Sequence, residues 1–178
     1  MTPESLQDRY APHSVCFGCG PDNEEGLRIR SVVEGDCVVA RWTPRPYHHA
    51  FGGFLSGGII STVLDCHSNW AGAYSLMLET GVEAPPPTVT ASIFVEFLKP
   101  TPIAPLLLEA RPKEVAGRKV VVESTLKARG VVTATLRGTF VAVGTTRRRD
   151  YGRWAASVGE GELDRSQPFG LEVFENLR

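Results

Sequence analysis

Two hydrophobic periods divide this chain. Residues 88–99 alternate: Val89, Ala91, Ile93, Val95 and Phe97 share one face, and Thr88, Thr90, Ser92 and Glu96 the other. Residues 131–143 do the same, with Val132, Ala134, Leu136, Phe140 and Ala142 set against Thr133, Thr135, Arg137 and Thr139. A period of two is that of a strand with one covered face. Residues 27–33, 37–42, 106–115 and 119–128 read as further strands. Glu34-Gly35-Asp36 and Ala116-Gly117-Arg118 mark hairpin turns, and Gly130 divides 119–128 from 131–143. Residues 81–87 form a proline-rich connector, and Pro100 and Pro102 end the strand before them, since proline cannot donate to a ladder.

Residues 54–78 carry the helical period. Ile60, Val63, Leu64, Trp70, Ala71, Tyr74 and Leu78 lie on an apolar side, and Ser61, Thr62, Asp65, Ser68, Asn69 and Gly72 follow i, i+3, i+4 spacing on another. Asp65 is the only Asp, Glu, Lys or Arg between Phe54 and Leu78. A solvated helix face carries several charges, so a helix this poor in them is wrapped by protein on most sides. The order strand, strand, helix, four strands predicts an α+β domain, an antiparallel sheet with one face on a buried helix. No repeat, low-complexity tract or second domain interrupts it. The expected division is a tail at 1–15, one domain at 16–143 and an extension at 144–178.

An isolated carboxylate inside such a helix costs free energy unless it is hydrogen-bonded or has a task, and burial raises its pKa toward the range of a general base. Ahead of it, Ser56-Gly57-Gly58 opens the helix. Ser56 is a good N-cap, and the glycines leave uncovered backbone N–H groups at the positive end of the helix dipole. Those amides suit a polarised carbonyl oxygen. A plain cap with close packing against a strand explains the same residues.

The segment resembles the hotdog-fold acyl-CoA thioesterases of the PaaI-like group, in which His-Gly-Gly opens the central helix and an acidic residue follows about two turns later. Ser56 stands where that family has His. The run from Thr90 to Thr101 resembles the family's first strand after the helix, and the segment from Cys16 to Leu27 a lead-in seen in some PaaI-like proteins. The resemblance covers about residues 16–143. It implies a sheet curled around the helix, hydrolysis of an acyl-CoA thioester, and sites at protomer interfaces.

Helix geometry leads separately to a shared site. Asp65 lies eight residues beyond Gly57, roughly 12 Å along the axis. A base and an oxyanion donor must both lie within about 3 Å of the reacting group or its water. One helix does not easily serve one carbonyl with both, so Gly57 of one protomer and Asp65 of its mate are expected to act together, in a homodimer or a dimer of dimers. Asp65 activates water or attacks directly; Gly58 and Ser56 are placed beside the substrate. Asn69, at i+4, is the candidate to orient Asp65 or a water. His67 points about 200° away from Asp65 and reads as a core or interface histidine. His49 and Phe51 either wall the acyl pocket or serve the loop. Arg118, with Lys119, is a candidate for the phosphates of coenzyme A, as is the basic run Arg147-Arg148-Arg149, a tail charge otherwise. Phe169, Leu171, Val173 and Phe174 suggest that the end of the chain packs against something.

Composition narrows the partners. The chain has 178 residues, 42% of them hydrophobic, and a formal net charge of −1. That balance provides no drive toward nucleic acid or anionic membranes. No run of 18 apolar residues exists. The polar N-terminus lacks a signal-peptide core, and a cytoplasmic protein with reduced thiols is expected. Cys16-Phe-Gly-Cys19 is a C-x-x-C pair, while Cys37 and Cys66 stand alone. His13 or His67 could join the pair, but the spacing does not require a metal, and none is expected. Coenzyme A enters only as part of the substrate, with no separate cofactor. Beside hydrolysis stand a non-catalytic acyl-CoA or small-ligand binder, which Ser56 in place of His keeps open, and a hotdog hydratase or dehydratase.

Overall fold

The computed structural model describes residues 4–143. Its centre is α2, Gly57–Thr80, 24 residues long, closed at its C-terminus by Gly81 in the left-handed region (φ 65°). Around it curls one antiparallel sheet of six strands: β1 Ser31–Glu34, β2 Cys37–Trp42, β5 Thr88–Phe97, β6 Leu106–Ala116, β7 Lys119–Ala128 and β8 Val131–Ala142. Their order across the sheet is β1-β2-β6-β7-β8-β5, so β1 and β5 form its edges. A small hairpin, β3 His49–Phe51 and β4 Phe54–Leu55, lies just ahead of α2. It is tied down by hydrogen bonds from Leu55 N to the Thr101 carbonyl and from Ile103 N to the Gly53 carbonyl.

The core forms where the inner sheet face meets α2. Leu106, Leu108, Val120, Val122, Leu126, Leu136 and Phe140 come from the strands and Ile60, Val63, Leu64, Ala71 and Leu76 from the helix, all buried. The expected division of the helix into an apolar and a polar stripe needs correction. Leu78 is 61% exposed, while Ser68 and Gly72, assigned to the polar stripe, are buried. The sheet covers more of the helix than one stripe, and small residues permit the close approach. Ser68 meets Ser124 hydroxyl to hydroxyl at 2.8 Å. A β-carbon on Gly72 would stand 2.8 Å from Val120 Cγ1.

Two further expectations change at the N-terminal side. Residues 6–10 are not a free tail. They form α1, Leu6–Tyr10, capped by Ser5, with Leu6 and Gln7 buried. Gln7 takes the Ser31 amide at 2.8 Å and reaches its hydroxyl at 3.1 Å, and that hydroxyl meets His67 Nδ1 at 2.9 Å. The strand expected at 27–33 is shortened to start at Ser31. Arg28 has φ 51°, outside strand geometry, and Leu27 N and Ile29 N bond back to the carbonyls of Phe17 and Gly18. Among the described residues, no helix is long and apolar enough to cross a membrane. Arg147–149 and the aromatic C-terminal positions lie outside the described residues.

The most consequential departure sits in β5. Its register against β8 slips between Thr90 and Ser92. Before that bulge Thr88 and Thr90 pair with Ala142 and Phe140; after it Ile93, Val95 and Phe97 pair with Gly138, Leu136 and Ala134. Partners in register share a face, so one extra residue switches the parity. Strict alternation would have put the threonines and the apolar residues on opposite faces. The bulge brings Thr88 and Thr90 to the same face as Ile93, Val95 and Phe97.

Candidate functional site

Thr90 faces α2 for that reason, and its hydroxyl donates to Asp65 Oδ1 at 2.8 Å. Asp65 is half-buried. Burial pushes its carboxyl above the ordinary carboxylate range; the Thr90 hydrogen bond opposes this, and the nearby Cys16 sulfur adds to it. The result is a carboxylate with an upward-shifted pKa, one oxygen held and the residue still reachable. Asn69 is not its orienting partner. The Asn69 side chain is engaged one turn on, accepting from Thr88 Oγ1 at 2.7 Å and donating to the Thr88 carbonyl at 3.3 Å. The bulge thus sets two threonines against two polar helix residues, and Thr90 does what was expected of Asn69.

The other end of the site is the entry to α2. Ser56 is the N-cap residue with extended backbone (φ −61°, ψ 134°), and its side chain makes no capping hydrogen bond. The first amides of α2 are therefore not taken by their own cap. Gly57 is half-buried and Gly58 exposed. The space above Gly57 is bounded by the Phe97 ring, 3.5 Å from where a β-carbon would sit. His49 lies exposed on β3, opposite Leu55 in register. Phe51, 74% exposed, stands edge-on to Phe54 at 6.2 Å. Phe97 and Leu98 are more than half exposed. Exposed aromatic side chains thus stand near the helix entry, with Phe97 directly over Gly57.

Ser56, Gly57, Gly58 and His49 come together at this end, and Asp65 and Asn69 lie two to three turns along the same helix. Within one chain the two groups do not converge. Arg118 joins neither group: it sits exposed in the β6–β7 turn, next to Lys119, which the register places level with Val141 and hence Val89. His67 is fully buried. Its Nε2–H donates to the Val38 carbonyl at 3.1 Å, its Nδ1 accepts from Ser31, and burial lowers its pKa to about 4. It is a core histidine. A pocket of about 270 Å³ opens beyond Asn69, lined by Thr88, Trp70, Cys16, Cys19 and the prolines at 85–87.

Solved structures share this architecture. A thioesterase superfamily protein from Shewanella loihica is 32% identical to the chain, with a TM-score of 0.60; the match covers 78% of this chain and 99% of that one. This chain belongs to the thioesterase superfamily. Its sheet wrapped around one long helix is the hotdog fold. The Escherichia coli PaaI protein from the phenylacetic acid degradation operon shares the fold at 17% identity, TM-score 0.53, covering 66% of this chain and 81% of its own. So does a Streptococcus mutans protein solved bound to acetyl-CoA, at 21% identity, TM-score 0.55, covering 67% and 91%. No protein-family model and no curated protein matches the sequence.

Two members of this candidate site are not legible in the sequence. Thr90 was placed on the wrong face because nothing linear announces the bulge. Cys66, beside Asp65, read as isolated, yet its sulfur lies 3.8 Å from that of Cys16, 50 positions earlier. The C-x-x-C pair and a cysteine on the central helix were the available signal; their meeting depends on how residues 14–29 fold back.

Proposed function

We propose that this protein hydrolyses an acyl-CoA thioester at a site assembled from two copies of the chain. The Gly57 amide of one copy polarises the thioester carbonyl, and Asp65 of the other activates water or attacks the carbonyl carbon. The observation that carries the reading is the half-buried Asp65, held by Thr90 on the central helix of a thioesterase-superfamily chain whose Ser56-Gly57-Gly58 turn is left uncapped. The separation of about 12 Å along α2 favours two chains over one. The edge of the sheet favours them too: among the described residues β5 has no strand outside it, and it exposes Ile93, Phe94 and Phe97. A long apolar edge of this kind invites pairing with a second copy. The exposed aromatic side chains near Gly57 suit an acyl group, and Ser56, Gly58 and His49 lie at the same end. Arg118 and Lys119 offer the charge that coenzyme A phosphates would meet. The Streptococcus mutans relative bound to acetyl-CoA supports a CoA-type ligand.

Turnover of a thioester panel, read by free thiol release, tests the activity. Asp65→Asn is expected to abolish turnover while acyl-CoA still raises the melting temperature. Loss of both together would favour a binding or folding role for Asp65. A mixing experiment tests the shared site. Gly57→Pro removes the candidate amide at the first helical position, where proline is well tolerated, and the extended Ser56 backbone accepts a following proline. Subunit exchange between inactive Asp65→Asn and inactive Gly57→Pro proteins rebuilds one intact site in each mixed dimer. About a quarter of wild-type activity should return from random pairing; none returns if each chain works alone.

A further inference from the structure

The N-terminal turn and the central helix bring three thiols together. Cys16, Cys19 and Cys66 have their sulfur atoms all within 4.8 Å of one another. We propose that these three residues form a zinc site, a three-thiolate clamp pinning the N-terminal segment to α2, with the fourth coordination position open to solvent from the adjoining pocket. This proposal does not depend on the hydrolytic reading.

Distance is the first argument. Two sulfurs bound at about 2.3 Å to a tetrahedral ion lie roughly 3.8 Å apart. The Cys16 and Cys66 sulfurs are 3.8 Å apart, and all four cysteines are free. The surroundings are the second. The Trp70 indole N–H donates to Cys19 Sγ at 3.3 Å. Donors of this kind stabilise bound thiolates and orient them. Zinc binding would release the thiol protons to solvent.

The third argument is the shape of the turn. A β-carbon on Gly18 would lie 2.3 Å from Cys66 Sγ, and one on Gly20 2.4 Å from the Cys16 amide. Only glycine lets the C-x-x-C turn seat on α2 with its sulfurs facing Cys66. Bonds from Gly20 N to the Cys16 carbonyl (2.8 Å) and from Ile29 N to the Gly18 carbonyl (3.0 Å) brace it. Cys16 and Cys19 also line the 270 Å³ pocket, which gives solvent its approach. His13 pairs instead with Asp22 at 3.1 Å, and His67 is committed to the core, so neither histidine considered from the sequence is needed. Soft thiolate donors in a tetrahedral arrangement select zinc over magnesium or calcium.

The test uses the full chain, purified and reduced without metal, then titrated with cobalt(II) as a spectroscopic stand-in and competed with zinc. One equivalent per chain should give the visible bands of tetrahedral thiolate-bound cobalt, bleached by zinc. Zinc should shield Cys16, Cys19 and Cys66, but not Cys37, from alkylation mapped by mass spectrometry, and should raise the melting temperature. Cys16→Ser, Cys19→Ser and Cys66→Ser should each weaken binding at least about tenfold, with Cys37→Ser unchanged. Absence of thiolate bands in the reduced wild type overturns the proposal, as does alkylation of Cys66 at an unchanged rate in zinc, or full cobalt binding by Cys66→Ser. The alkylation map uses wild-type protein and decides the question even if a variant fails to fold.

Discussion

Gly72 sets how closely the central helix approaches the sheet, and replacing it with alanine opposes two effects of known size. Alanine in a helix interior is favoured over glycine by about 1 kcal/mol. Against this, the new methyl group would lie 2.8 Å from Val120 Cγ1 and 3.3 Å from Val122 Cγ2. Both valines are completely buried and β-branched, with little rotamer freedom to yield. Carbon atoms rest about 3.5–4.0 Å apart, so helix and strand must separate by most of an ångström locally. Such overpacking costs about 1–3 kcal/mol. The net expectation is destabilisation by about 1 kcal/mol, a fall of roughly 3–5 °C in Tm for a domain of this size. Urea titration with unchanged slope measures it. Gly72→Ala combined with Val120→Ala should be less destabilised than the sum of the single variants by at least about 1 kcal/mol, because the second change makes room for the first. A Gly72→Ala protein more stable than wild type by the full helix-propensity gain would refute the claim that Gly72 sets this spacing. The same displacement acts two turns from Asp65, so thioester turnover should fall with stability.

The remaining expectations concern charge, the site and a turn. His67 ordinarily protonates near pH 6.5 when unfolded but resists to about 4 when folded. Between those values the unfolded chain binds the extra proton, so stability is lost as pH falls through the window, by about 3 kcal/mol in all; acid titrations of wild type and His67→Gln should differ in slope there, and equal slopes would count against a neutral core imidazole. Thr90→Val keeps the shape of β5 but removes the donor to Asp65; a hydrogen bond to a charged group is worth about 1.5–3 kcal/mol, so kcat should fall roughly 10- to 100-fold with the fold intact by circular dichroism. An unchanged kcat would mean that Asp65 needs no orienting partner. Arg129 has φ 51° ahead of Gly130 at φ 78°, a two-residue hairpin joining Ala128 to Val131. Arg129→Asn suits that left-handed position and should stabilise the protein by about 0.5–1 kcal/mol in thermal unfolding.

Much of the architecture is local and therefore legible along the chain. Alternation in 131–143, the Gly117 and Gly130 turns, and a helix nearly free of charge each express a short-range rule. Together they imply a sheet on a buried helix before any contact is known. Asp65 stands out by the same logic, since a lone acid in such a helix contradicts its surroundings. What surrounds Asp65 is different in kind. The slip between Thr90 and Ser92 reverses the parity of β5, and that slip is a property of pairing with β8, which also decides that Thr90 rather than Asn69 holds the acid. Gly18 and Gly20 are residues any turn could use; only the packed helix makes them the seats of a turn whose thiols reach Cys66. Period and composition depend on neighbours within a few residues, and they set the elements, the burial of the helix and the prominence of one acid. Partners 25 and 50 positions apart are selected by register and by how closely surfaces can approach, and these exist only once the sheet has closed on the helix.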